Sequence, residues 1–199
     1  MDNELDKLSY SLGIDIAKSL LSQGVNELNG IIFGQAMNDI FSNSTLKMSE
    51  KDAMDFLNDH FSKLQAKQHE GVLKAGQDFL TANSKNEGVI TLESGLQYQV
   101  LAEGEGEKPT ADSTVTTHYH GTTVDGKVFD SSVERGTPAS FPVKGVIAGW
   151  TEALQLMPVG SKWRLTVPSN LAYGDRGAGP DIGPHATLIF DVELLKINE

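Results

Sequence analysis

The chain has 199 residues, 39% of them hydrophobic and 22% charged, with a formal net charge of −11. This is room for one domain or two small ones of ordinary soluble composition. The acidic balance argues against nucleic acid or an anionic membrane as the main partner. The charge is spread evenly, net −5 over residues 1–87 and −6 over the remainder, so neither half is a charged tail. Cysteine is absent, which excludes disulfides, a thiol nucleophile and Cys metal sites and fits a reducing compartment. Met1-Asp2-Asn3-Glu4-Leu5-Asp6 is acidic, with no basic segment leading into an apolar one. No apolar run approaches the ~18 residues that span a bilayer. The expectation is a cytoplasmic protein with no nucleic-acid and no membrane partner.

The first element reads as a helix. Leu5, Leu8, Leu12, Ile16 and Leu20 recur at three- and four-residue steps, and Gly24 is a stop. A second helical pattern carries Leu28, Ile31, Ile32, Met37, Ile40 and Phe41, ending at an Asn43-Ser44 turn. Ser49-Glu50-Lys51-Asp52 resembles a capping box with Asp in place of Glu. From there a helical pattern runs without proline to about Ser84. Such a helix is a rod of about 50 Å. Gly71 and Gly76 each weaken it by ~1 kcal/mol relative to Ala. Its middle, Lys63 to Lys74, is mostly polar, as in a solvated bridge. Two short amphipathic helices and the first turns of a third make too small a core to stand alone. A second copy would bury the surplus apolar faces, so the front of the chain is expected to form a homodimer.

After Ser84-Lys85-Asn86-Glu87-Gly88 the period changes from helical to two residues. Leu96, Tyr98 and Val100 alternate with Gln97, Gln99 and Leu101, then Val115, Thr117 and Tyr119 alternate with Thr116, His118 and His120. Asp125-Gly126 is a hairpin signal. Trp163, Leu165 and Val167 share a face, as do Leu188, Phe190, Val192 and Leu194. Between these, Trp150 to Leu156 reads as a short helix. The expected class is α+β, with an antiparallel sheet carrying one short helix. The expected divisions are a helical dimerisation module at 1–48, a connecting helix at 49–84, a linker at 85–92 and a sheet domain at 93–199.

The stretch Val146-Ile147-Ala148-Gly149-Trp150 places a Trp at the mouth of that helix, after a glycine that permits a close approach. Tyr119, Phe129, Phe141, Val146, Ile147, Trp150, Tyr173 and Phe190 all stand at element ends or beside loops, and Asp130 directly follows Phe129. Each alone is explained by core packing. As a set they are more aromatic than so small a core needs, which leaves an apolar pocket as the other reading. His118 and His120 can chelate a metal from one strand face, but no third ligand stands near, and no metal or other cofactor is expected. Gly177-Ala178-Gly179 lacks the context of a phosphate loop.

These residues carry a resemblance. Tyr119-His120-Gly121, Gly126-Lys127-Val128-Phe129-Asp130-Ser131-Ser132, Val146 to Trp150, Leu171-Ala172-Tyr173-Gly174 and Pro184 to Leu194 resemble the FK506-binding protein (FKBP) family of peptidyl-prolyl isomerases, over roughly residues 90–199. The helical front is similar in layout to the Mip-like bacterial branch, whose members form V-shaped homodimers through the N-terminal helices with a long connecting helix. The resemblance implies a peptidyl-prolyl cis–trans isomerase acting on unfolded or partly folded proline-containing proteins. It implies Trp150 as the floor under the proline ring, with Phe141, Val146, Ile147 and Phe190 binding substrate. Tyr119, Phe129, Asp130 and Tyr173 would be the catalytic set. The Ile147 N–H and the Tyr173 hydroxyl would hold substrate carbonyls, and Asp130 would sit at the rim. Macrolides of the FK506 and rapamycin type would compete for the pocket. A non-catalytic dimeric chaperone or proline-ligand module is the alternative. Ala139, Ala178 and Asp181 depart from common family residues and bear on substrate preference and macrolide affinity.

Overall fold

A computed structural model describes residues 3–198; Met1, Asp2 and Glu199, which include the start of the acidic opening stretch, lie outside it. The chain divides into two compact units, Met1–Ala66 and Lys67–Glu199.

In the first unit, α1 (Glu4–Ser22) starts where the Asn3 side chain accepts the Leu5 N–H at 2.8 Å, and α2 (Gly30–Phe41) starts where Asn29 accepts those of Ile31 and Ile32. These caps satisfy N–H groups that a helix leaves free. Leu28 therefore precedes α2 rather than belonging to it. Gly24 (φ 86°) and Asn43 (φ 53°) end the two helices in the left-handed region. Neither helix contains a buried residue. Helix α3 (Glu50–Asn83) is continuous for 34 residues and passes from the first unit into the second. Ser49 caps it, accepting the Asp52 N–H at 3.1 Å. The Asp52 carboxylate accepts the Ser49 hydroxyl at 2.7 Å instead of the backbone N–H of a full capping box, because Asp is one methylene shorter than Glu.

The second unit is built on a seven-stranded antiparallel sheet of β1 (Val89–Thr91), β2 (Gln97–Ala102), β3 (Thr114–Thr123), β4 (Val128–Ser131), β5 (Ala139–Pro142), β6 (Lys162–Val167) and β7 (Leu188–Asn198). The order is β1-β2-β6-β7-β3-β4, with β5 also pairing with β3. Every other residue of the central strand β7, Leu188, Phe190, Val192 and Leu194, is buried, as period-two patterning requires. The short helix α4 (Ala148–Leu154) lays Trp150, Ala153 and Leu154 into the same core. The class is α+β, with the sheet wrapped on α4.

Strands β1 and β5, of three and four residues, carry too few positions to show a period in the sequence. In β2 the expected alternation breaks at Gln97, which is buried. The end of α3 covers it: Gln97 donates to the Leu80 carbonyl at 2.9 Å and accepts from Asn83 at 2.9 Å. The Asp125-Gly126 hairpin is a β-turn closed by Gly126 N–H to Thr123 C=O, with Gly126 at φ 86° and Lys127 paired back to Thr123, a three-residue loop.

Candidate active site

All nine residues singled out in the sequence line one cavity of about 410 Å³: Tyr119, Phe129, Asp130, Phe141, Val146, Ile147, Trp150, Tyr173 and Phe190, with Gly145 added at its edge. They arrive from β3, β4, β5, the turn before α4, α4 itself, the loop after β6 and β7. Trp150 is 4% exposed and stands edge to face with Tyr119, Phe141 and Phe190 at ring separations of 5.4, 5.5 and 5.2 Å. Such edge contacts fix its plane. Its indole N–H has no partner among the described residues. Gly149, just before it, lies against Val167; a Cβ there would be 2.6 Å from a Val167 methyl carbon. The close approach expected of this glycine is thus onto β6, and it seats the first turn of α4 under the cavity.

Phe129 and Asp130 are consecutive, so a regular strand would send them to opposite faces. Both line the cavity because β4 bulges here. Asp130 pairs with Gly121 and Val128 with Thr122, leaving Phe129 as the extra residue. Gly121 makes room for the result: the rings of Phe129 and Phe190 stand edge to face at 5.5 Å above it, and a Cβ would come within 2.8 Å of the Phe129 ring.

The polar edge is a small array. The Tyr119 hydroxyl donates to Asp130 at 2.5 Å. Arg135 forms an ion pair with Asp130, donates to the Tyr119 hydroxyl at 3.0 Å and sits 5.7 Å from the Tyr119 ring centre. Partial burial opposes ionisation of Asp130, but the hydrogen bonds from Tyr119 and Arg135, with the guanidinium charge, outweigh it and hold its pKa below the ordinary carboxylate value. Burial, then the bond to Asp130, raise the Tyr119 phenol. The array is a fixed carboxylate with a neutral phenol, not a proton donor–acceptor pair poised near neutrality. Arg135 was not anticipated from the sequence; the available signal was a lone cation five residues beyond a carboxylate in a short loop.

The backbone at Ile147 is extended (φ −59°, ψ 150°). Its carbonyl accepts the N–H groups of Trp150 and Thr151, while its own N–H takes no partner among the described residues. Tyr173 is 40% exposed at the far side of the cavity, on a loop tied by Gly174 N–H to Ser169 C=O and His185 N–H to Gly174 C=O. Of the departing residues, Ala139 lies on β5 opposite Thr117, Ala178 bridges to Ile182, and Asp181 pairs with Lys127 at 2.8 Å. His118 and His120 are hydrogen-bonded to the hydroxyls of Ser132 and Ser131, both at 3.0 Å. Among the described residues no three His, Asp or Glu groups are placed to hold a metal.

Known proteins share this layout. A family model described as FKBP-type peptidyl-prolyl cis-trans isomerase matches residues 105–195, and the domain amino terminal to that isomerase matches residues 5–100. The chain is 42% identical over its whole length to the outer membrane protein MIP of Legionella longbeachae, covering 88% of that protein. It is also 42% identical, over 95% of its length, to the FKBP-type 22 kDa peptidyl-prolyl cis-trans isomerase of Escherichia coli, covering 93% of that protein. The crystal structure of FkpA from Escherichia coli superposes with a TM-score of 0.79 at 36% identity, covering 100% of this chain and 98% of the other. One expectation is overturned. A cytoplasmic location does not stand beside a full-length relative that is by name an outer membrane protein. Composition and the residues 1–6 do not encode the compartment, because a folded acidic surface is equally at home on either side of a membrane. Among the described residues no helix is long and apolar enough to cross a membrane.

Proposed function

The chain belongs to the FKBP-type peptidyl-prolyl cis-trans isomerases, and on that premise we propose that the aromatic cavity is where the X-Pro bond is twisted. The activity is that of a rotamase, so the alternative of a non-catalytic binding module falls away. The planar amide resists rotation by ~18–20 kcal/mol because rotation breaks its resonance. A 10⁴-fold acceleration requires lowering that barrier by about 5.5 kcal/mol. No covalent bond is broken and no proton need move, so neither a nucleophile nor a metal is required.

The supporting observation is the cavity itself: five aromatic rings and two β-branched side chains around Trp150, with one carboxylate already neutralised by Arg135. A water-poor site of this kind disfavours the dipolar planar amide relative to the twisted one, whose charge separation is reduced. In this assignment Trp150 is the floor for the proline ring, and Tyr119, Phe129, Phe141, Val146, Ile147 and Phe190 are the walls. The Ile147 N–H and the Tyr173 hydroxyl hold substrate carbonyls on either side of the rotating bond. Asp130 and Tyr119 present a fixed dipole at the rim. FK506 and rapamycin-type macrolides take the same cavity.

The N-terminal helices serve a second copy of the chain. Residues of α1 and α2 such as Leu5 (65% exposed), Ile31 (84% exposed) and Phe41 (82% exposed) are apolar surface without cover. Joining two arms raises the effective concentration of the second client contact, which suits unfolded or partly folded proline-containing proteins. The test compares the wild type with Ile31→Asp/Phe41→Asp. Sedimentation should show a dimer for the first and a monomer for the second. X-Pro peptide isomerisation should be equal, competed by FK506 in both, and proline-limited protein refolding should slow in the monomer. A monomeric wild type, or equal refolding rates, removes the dimer reading. Loss of FK506 competition removes the ligand reading alone.

A further inference from the structure

Helix α3 has two glycines in its second half, and they face different surroundings. A Cβ added at Gly71 would meet nothing within 4 Å. Gly76 is the only buried residue of α3 among those described, and a Cβ there would stand 3.1 Å from the Thr187 Cβ and closer still to its hydroxyl. Thr187 is itself buried, at 5% exposed. It ends the long loop that begins at Tyr173 and hands the chain to β7. The loop has little structure of its own beyond the Ala178–Ile182 bridge. His185, two residues before Thr187, has a left-handed backbone (φ 61°), unusual for a residue other than glycine. Its ring meets that of His69 on α3 edge to face at 5.6 Å, and its N–H donates to the Gly174 carbonyl at 2.7 Å. Gly174 is the residue after Tyr173.

A continuous path therefore runs from α3, through Thr187 and His185, to Gly174 and the tyrosine at the cavity. We propose that Gly76 is a positioning residue for the isomerase site: by letting α3 seat against Thr187, it holds the Tyr173 loop in the conformation that presents Tyr173 to the cavity. The connecting helix is on this view part of the catalytic half's machinery, beyond its service as a spacer. Helix propensity alone runs the other way, since glycine is the weaker helix former at both positions and Ala would stabilise an exposed helix there. At position 76 the Thr187 contact, and not helix propensity, accounts for a glycine.

The inference rests on the role given to Tyr173 above, and the test separates the two. In the full-length protein, kcat/KM on an X-Pro peptide and Tm are measured for Gly76→Ala, Gly71→Ala, Thr187→Ala, Gly76→Ala/Thr187→Ala and Tyr173→Phe. A Cβ at 76 forces several tenths of an ångström of movement onto the loop, and displacements up to 1 Å in a site cost up to about 100-fold in rate. Gly76→Ala should lose roughly three- to tenfold, raising KM more than it lowers kcat. Gly71→Ala should stay within about twofold of wild type, Thr187→Ala, which loosens the same seat, should lose less than Gly76→Ala, and the double variant should recover to the level of Thr187→Ala. Rescue by deleting the Thr187 hydroxyl and methyl ties the loss to this contact, and a fall in kcat/KM larger than the fall in folded fraction read from Tm separates positioning from a general loss of stability. Equal activity of Gly76→Ala and Gly71→Ala, or no recovery in the double variant, overturns the proposal. Wild-type activity in Tyr173→Phe overturns the role of Tyr173 and leaves the Gly76 seating standing.

Discussion

The two tryptophans make a matched pair for separating packing from function. Trp150 is 4% exposed and Trp163 5%, and neither indole N–H has a partner among the described residues. Trp150 is set among three rings at 5.2–5.5 Å, and Trp163 stacks on Tyr98 at 4.3 Å. Replacing either by Ala removes a buried aromatic side chain, which costs about 3–5 kcal/mol of stability. A domain of ordinary stability, about 5–15 kcal/mol, remains largely folded in the cold, and the two variants should lose similar amounts of Tm. Only Trp150 lines the 410 Å³ cavity. If it is the floor for proline, its loss removes an apolar contact equivalent to burying one Val-sized side chain, roughly 1.5–3 kcal/mol. That predicts a loss of about 10- to 100-fold in kcat/KM. The assay is X-Pro peptide isomerisation at low temperature, normalised to the folded fraction read by circular dichroism. Trp163→Ala should stay within about threefold of wild type. Equal losses in both variants would mean that the activity effect is only destabilisation, and an active Trp150→Ala would refute the pocket-floor reasoning outright.

Three further outcomes follow from other parts of the molecule. Asp130 has a lowered folded pKa, so whatever the Tyr119–Asp130–Arg135 array contributes to stability is present above the unfolded Asp value of about 3.9 and is lost as pH falls through the lower folded value. Thermal unfolding and kcat/KM should therefore be insensitive to Asp130 across neutral pH, and Arg135→Gln should move the acid limb of activity to higher pH. Gly149→Ala drives a Cβ into Val167 and should destabilise by about 1–3 kcal/mol in denaturant unfolding, with a loss of activity because Trp150 shifts with the first turn of α4. Ser49→Ala removes the α3 cap and should cost about 1 kcal/mol in the unfolding of the N-terminal unit, with peptide isomerisation unchanged.

Periodicity by itself determined the helices and the main strands. The three- and four-residue steps of α1 to α3 and the alternation of Leu188, Phe190, Val192 and Leu194 report which side of an element meets apolar surroundings, and that is local information. The ordered motifs likewise named nine of the ten residues that line the cavity, because each must sit at a fixed place on its own element. Four things were decided only by tertiary structure. Gln97 lies on the polar side of its strand by pattern, yet is buried because the end of α3 covers it. Phe129 and Asp130 share a cavity because of a bulge, and a bulge is a mismatch between two strands that neither strand's sequence displays. Arg135 joined the site, and Gly76 met Thr187, through contacts between segments that fold together in space. A sequence fixes what each residue prefers, but the choice of neighbour belongs to the register and packing of the whole chain.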